Sequence, residues 1–280
     1  MILILFMDLI LLLASSLNFQ AVTPSQEADC TKCHKVITAG ATVHPVIEDA
    51  CDNCHESTGE KHPDKGVKGF SLIEQSPQLC FFCHDEFPEM QYGHHPVREG
   101  KCLDCHNVHS SDQDYLLIKK YPELCLSCHS DIGKQLATGK SLHQPLSDGE
   151  CNMCHLPHGS ENSALLVEAF PEGEYAEATA ESFAICFLCH DSQIIMEEKT
   201  EWGTNFRNGA QNLHFLHIKG KKGRSCKLCH NMHAGSEALL IDDNIAFGNW
   251  KMKLNFIPTE NGGSCQPGCH GNAQYSRAGN

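Results

Sequence analysis

Lysine and arginine are scarce in this chain. Its 280 residues hold 21 of them against 35 aspartates and glutamates, a formal charge of −14. That excludes nucleic acid as a partner, because phosphate binding needs a basic footprint. The basic run Lys219, Lys221, Lys222 and Arg224 is short and lies among glycines. It reads as a solvated loop or as the partner of a local anion. No Lys or Arg precedes Lys32, and no cysteine precedes Cys30, so a lipid-attachment cysteine is absent from the leader. Beyond Leu13 nothing approaches the roughly 20 apolar residues of a spanning helix, so no transmembrane span is expected in the mature chain. Ile2 to Leu13 is an apolar run broken by Asp8 and followed by small residues. Residues 1–21 are accordingly expected to be a secretory signal, although the positive n-region is missing. An upstream start or an uncleaved anchor are the alternatives.

No cysteine stands alone. All 18 fall into nine pairs, and each pair is followed at once by histidine. The pairs are Cys30/Cys33, Cys51/Cys54, Cys80/Cys83, Cys102/Cys105, Cys125/Cys128, Cys151/Cys154, Cys186/Cys189 and Cys226/Cys229, with Cys265/Cys269 one residue wider. A disulfide scaffold has no use for a histidine after every pair. Zinc ribbons take two pairs per metal, and nine is odd. Covalently attached haem c accounts for all three features, with Cys-x-x-Cys-His as its attachment signature. Cysteines at i and i+3 share one face of a helical turn, so both sulfurs reach the vinyl groups of one porphyrin. The next residue then reaches the iron from the same side. The i, i+4 spacing at Cys265 and Cys269 also shares a helical face, and Pro267 and Gly268 let the backbone bulge there.

A larger phrase encloses the pairs. A histidine precedes the second pair of each unit by seven to nine residues, a histidine follows it, and an apolar "FSLI", "YLLI", "ALLV" or "ALLI" comes next. The chain divides into dihaem units at 22–75, 76–118, 119–168 and 169–242, and a single-haem segment at 243–280. Such repetition suggests a linear stack and not one closed core. Residues 169–213 interrupt the pattern with an acidic, Ala/Glu-rich stretch and a longer gap. The acidic stretch reads as a short helix or a solvated linker, and the lengthened gap at residues 196–212 as a plain insertion, with a partner-docking loop as the alternative.

Nine histidines are proximal by position: His34, His55, His84, His106, His129, His155, His190, His230 and His270. Among the other ten the repeat selects distal ligands. His44, His95, His143 and His217 precede the second pairs. His62, His109, His158 and His233 follow them. His214 is the extra histidine for the ninth haem, and His94 is left over. Bis-histidine ligation of nine irons is therefore expected, with Met90, Met196 and Met252 as alternative sulfur ligands.

About 29 residues per haem cannot bury a core of their own, so the porphyrins must form it. The expected fold is that of a multihaem cytochrome c. It has little regular structure: short α-helices, long coil wrapped around a stacked haem chain and almost no β. The apoprotein should be largely unfolded.

With "CxxCHxxH" at Cys102, Cys151 and Cys226, "FRNGAQNLHFLHIKGKKGRSCKLCHNMHA" and the closing "GGSCQPGCHGNAQY", the chain resembles the multihaem c-type cytochromes with doubled Cys-x-x-Cys-His motifs. The resemblance runs from Cys30 to the end. The first unit departs from it, with "CHESTGEKH" in place of CxxCHxxH. Membership implies electron carriage in the bacterial periplasm or at the outer membrane, often in anaerobic or metal-respiring organisms. The leading reading is a wire, not an enzyme, exchanging electrons with other redox proteins in a periplasmic, outer-membrane-associated or extracellular setting. The rival reading is a multihaem reductase with one open-coordinated haem, although no Cys-x-x-Cys-Lys motif is present. A haem filament by self-assembly, or the conduit subunit of an outer-membrane porin, is the third.

Overall fold

The cysteine motifs set the local conformation. In the computed structural model, which describes residues 29–47, 50–220 and 222–279, eight of the nine motifs lie on a single helical turn. These turns are Cys30–Lys32, Cys51–Asn53, Gln78–Phe81, Cys102–Asp104, Glu123–Leu126, Cys151–Met153, Ala184–Phe187 and Cys226–Leu228. In seven of them the histidine N–H donates to the carbonyl of the first cysteine at 2.9–3.1 Å, which closes the turn and puts sulfurs and imidazole on one side. The ninth motif differs from expectation. Cys265 ends the strand Gly262–Cys265, and Cys269 follows a turn, so strand and turn replace the helical face there. The proposed signal, residues 1–21, lies outside the described residues.

Regular structure is sparse. Among the described residues the longest helix is Ser130–Thr138 and no strand exceeds four residues. Strands are nevertheless more frequent than the sequence suggested. Residues 243–280 are built on them, as the hairpin Asn244–Phe247/Trp250–Lys253 and a three-stranded sheet of Ile257–Thr259, Gly262–Cys265 and Ala273–Ser276. No described helix is long and apolar enough to cross a membrane.

Three two-stranded sheets repeat and lock successive units together. Thr42–Val43 pairs with Ser110–Ser111, Tyr92–Gly93 with Gly159–Ser160, and Ser141–Leu142 with Ala234–Gly235, all antiparallel. Each joins the strand before a second pair to the strand after the second pair of the next unit. The sequence units are thus interlocked in space. At the chain's ends local hairpins take over: His55–Ser57 pairs with Phe70–Leu72, and Arg207–Asn208 with Gln211–Asn212.

Buried apolar side chains concentrate in the last third. Ala178, Phe183, Ile195 and Ile218 form one cluster; Leu228, Ile241, Ile245 and Leu254 form the other. The acidic insertion is part of this packing. Phe170 meets Phe183 edge-on at 5.9 Å, and Phe183 is fully buried. The basic run is used within the fold as well. Lys219 donates to the Ala178 carbonyl, and the Arg224 guanidinium lies 4.2 Å from the Tyr175 ring centre.

Asn212, fully buried, organises the helix Leu213–Ile218. Its Oδ1 accepts from the N–H groups of His214 and Phe215, and its Nδ2 donates to the carbonyls of Ile194 and Glu197. Asn212→Ala removes an N-cap and takes the side-chain donor away from the Ile194 and Glu197 carbonyls. The expected loss is about 2–4 kcal/mol, read as a lowered midpoint in thermal or denaturant unfolding of the holoprotein.

Candidate haem sites

Sites are numbered 1 to 9 by the order of their motifs, from Cys30 to Cys265. Every motif histidine faces one other histidine. The pairs are His34–His62, His55–His109, His84–His44, His106–His158, His129–His94, His155–His233, His190–His143, His230–His214 and His270–His217. Ring centres are 5.9–6.4 Å apart. In eight pairs the ring planes lie 11–27° from parallel, and at site 9 they lie 43° apart. A metal between two imidazoles accounts for the spacing. Two metal–nitrogen bonds of about 2.0 Å, plus roughly 1.1 Å from each nitrogen to its ring centre, total about 6.2 Å. Contact between aromatic rings alone would not select one motif and one non-motif histidine nine times. Among the described residues no three His, Cys, Asp or Glu side chains converge on a point, as a zinc site of four ligands would require.

The interlocking sheets place the second histidines. His44 N–H donates to His109 O at 2.9 Å, His94 to His158 at 3.3 Å and His143 to His233 at 3.1 Å. The two histidines joined in this way face different motifs, which are neighbours in chain order. The Asn107 and Asn231 side chains accept from the backbone N–H of His109 and His233, tightening the loops that carry them. On the helix Leu213–Ile218, His214 and His217 are one turn apart and serve neighbouring sites in the same manner.

Three assignments change. His95, expected to be distal, is an exposed side chain with Nε2 3.3 Å from Glu99, and the leftover His94 faces His129 instead. The His-x-Pro spacing of His143 and Pro145 matches His94 and Pro96, whereas matching to His44-Pro45 points to His95. The backbone pairing decides it. His214, expected at site 9, faces His230 of site 8, and His217 takes site 9. None of the alternative methionines is needed to complete a pair. Met252 has Sδ 3.7 Å from Cys269 Sγ.

The eighteen cysteines, alike in the sequence, fall into two kinds in space. Cys33, Cys83, Cys128 and Cys189, the second cysteines of the first motif in each unit, are exposed, as is Cys269. The others are half-buried. Backbone pairing makes the difference. After each second motif the apolar phrase folds back, and the N–H groups of Ile73, Ile118, Val167 and Asp242 donate to the carbonyls of Cys54, Cys105, Cys154 and Cys229. No described segment returns over the first motifs in this way. The side chains of Cys33 and Cys83 lie at the protein surface, on one turn with Cys30 and Cys80.

An interior second motif receives the histidine that follows the second pair of the next unit. At site 8 the helix Leu213–Ile218, which follows the insertion, presents His214 instead. At site 1 the facing histidine is His62, from the same unit.

Burial lowers the pKa of His44, His109, His143, His158, His230 and His233, and holds His214 down at about 4. Neutral imidazole is the ligating form. The motifs also neighbour one another in chain order. The thiol of Cys51 is raised by burial and by Cys30, and that of Cys80 by burial, then Cys102, with Cys54 further away. Cys105 is raised by burial with Cys128 nearby, Cys154 by burial with Cys189, and Cys229 to about 11 by burial with Cys265. Cys125 is hydrogen-bonded to Cys151, and Cys186 to Cys226.

The apolar phrases shape a loop behind each of three motif histidines. Tyr115–Leu116, Ala164–Leu165 and Leu239–Leu240 all have φ between 54° and 60°. Each such non-glycine residue costs on the order of 1 kcal/mol. In return the carbonyls of Tyr115, Ala164 and Leu239 lie 2.8, 2.8 and 3.0 Å from Nδ1 of His106, His155 and His230.

Residues 44–89, 94–134 and 143–194 each match the family model of the doubled CXXCH motif. The chain belongs to the multihaem c-type cytochromes. Its motifs carry covalently attached haem c. The residue types fit that group: two sulfurs and an imidazole on one turn, and a second imidazole at the distance that leaves room for the iron. The matched regions begin at His44, His94 and His143, the three histidines whose N–H groups pair across units. No curated protein matches the cytochrome.

Two outcomes test this geometry. His94→Ala should convert one haem of the holoprotein to a high-spin, carbon-monoxide-binding form, and His95→Ala should leave every haem low-spin, both read by electron paramagnetic resonance. Excising residues 94–142 joins Gly93 to His143 and removes sites 4 and 5 with His94 and His109. The shortened chain should hold two fewer haems by intact mass, all still low-spin, because His158 then comes to face His55.

Proposed function

We propose that the cytochrome carries nine haems c, each iron held between the two imidazoles of a facing pair, and that it passes electrons from haem to haem in chain order. The observation that carries this reading is the pairing of every motif histidine with one further histidine. An iron with both axial positions filled cannot bind a substrate, so its chemistry is reduction and reoxidation, with potential tuned by ligands, hydrogen bonds and burial. The succession of neighbouring motifs supports stepwise transfer. The exposed apolar residues within motifs, among them Phe82, Leu103, Met153 and Leu188, support ring faces as the core.

A reductase needs one open distal side, and the pairing of His270 with His217 speaks against one at site 9, the motif with the odd spacing. Multihaem c-type cytochromes are extracytoplasmic. The partners we infer are other redox proteins, with an outer-membrane porin as an assembly partner.

The test is a spin count by electron paramagnetic resonance on oxidised holoprotein, set against haem per chain by pyridine haemochrome assay. Nine haems, all low-spin, with no carbon monoxide binding after reduction, are expected. A high-spin haem that binds small ligands would move the reading to a reductase.

A further inference from the structure

An axial imidazole whose Nε2 holds iron carries its proton on Nδ1. An acceptor there makes the ring a stronger donor to the metal and stabilises the ferric state, which lowers the reduction potential. Acceptors are unevenly distributed along this cytochrome. At sites 1 and 2 the rings of His34, His62, His55 and His109 have no hydrogen-bond acceptor among the described residues. At sites 4 and 6 the motif histidine has one, the carbonyl of Tyr115 or Ala164. Site 5 has one on the other ring, from Pro157 O to His94 at 2.8 Å.

The last two sites have acceptors on both rings. At site 8 His230 donates to Leu239 O and His214 to Thr204 Oγ1, both at 3.0 Å. At site 9 His270 donates to Gly271 O and His217 to Leu213 O, both at 2.7 Å. The described residues thus give one ring acceptor at each of sites 4, 5 and 6, and two at each of sites 8 and 9.

Resting on the ligand reading above, we propose that these acceptors grade the irons along the chain, so that the haems at sites 8 and 9 are reduced last, after the acceptor-free haems of the N-terminal end, sites 1 and 2 among them. Electrons then enter at the C-terminal end and run downhill towards the N-terminal end. Thr204 is a positioning residue in this scheme, acting on the iron through His214. Burial of His214 and His230 opposes the gradient, since the ferric haem carries the extra charge. The acceptors act on the ligating rings themselves.

The experiment is a spectropotentiometric titration of the holoprotein and its variants, with spin state read alongside. Thr204→Val should shift one component to higher potential with haem content and spin state unchanged, and Thr204→Ser should restore it. His62→Ala and His109→Ala should each create one high-spin haem and alter the components reduced first. An unmoved titration in Thr204→Val, or His62→Ala and His109→Ala components among the last reduced, overturns the gradient and leaves the ligand assignment standing. Haems that remain low-spin in both histidine variants overturn the assignment itself, and the gradient with it.

Discussion

In the interior of this cytochrome a motif histidine and the histidine it faces come from different repeats. His55 faces His109, His106 faces His158 and His155 faces His233, each pair crossing a unit boundary. The reciprocal pairs His84–His44, His129–His94 and His190–His143 cross in the other direction. One two-residue sheet at each boundary positions both partners, because the N–H of one bonds the carbonyl of the other. No interior repeat can complete its own sites, so the smallest ordered piece is an array.

The ends follow from that constraint. A repeat array needs terminal units that differ from the rest. Here the differences are the hairpin and His62 at the start, and the insertion with its Asn212-capped helix at the end. Most of the polypeptide's own hydrophobic core also lies at that end, around Phe183, Ile195 and Ile218. Elsewhere few side chains are buried by polypeptide alone, and local hydrogen bonds carry the conformation. The left-handed pairs such as Tyr115–Leu116 illustrate the balance. Apolar residues accept an unfavourable backbone so that two carbonyls in succession are satisfied, one by His106 Nδ1 and the next by the Asn107 N–H.

Much of the site chemistry was legible because it is local. A sulfur, a second sulfur three residues on and an imidazole next to it need only one turn of helix, and the turn forms at eight motifs. The surroundings of those sulfurs were not legible. Cys33 and Cys83 are exposed where Cys54 and Cys105 are half-buried, because only the second motifs have a later segment bonded back onto them. The distal side was less legible because its partners are remote. His94 and His95 are adjacent, and only the strand Tyr92–Gly93, paired with Gly159–Ser160, shows which of them turns inward. His62 looked anomalous as a member of the repeat, and it faces His34 of its own unit. The strands of residues 243–280 were missed because short, glycine-rich segments show no clear alternation.

The sequence alone determined that cysteines and histidines in this order attach haem, that two histidines are available for every motif with one to spare, and that the phrase around the pairs recurs. These depend on residue type and short spacing, which the covalent chain enforces. Only the tertiary structure decided which histidine faces which motif, that the units interlock, and how many acceptors each ring meets. Those depend on backbone hydrogen bonds between segments some 65 to 90 residues apart, as between His44 and His109 or His143 and His233. A spacing rule confined to one repeat cannot contain them.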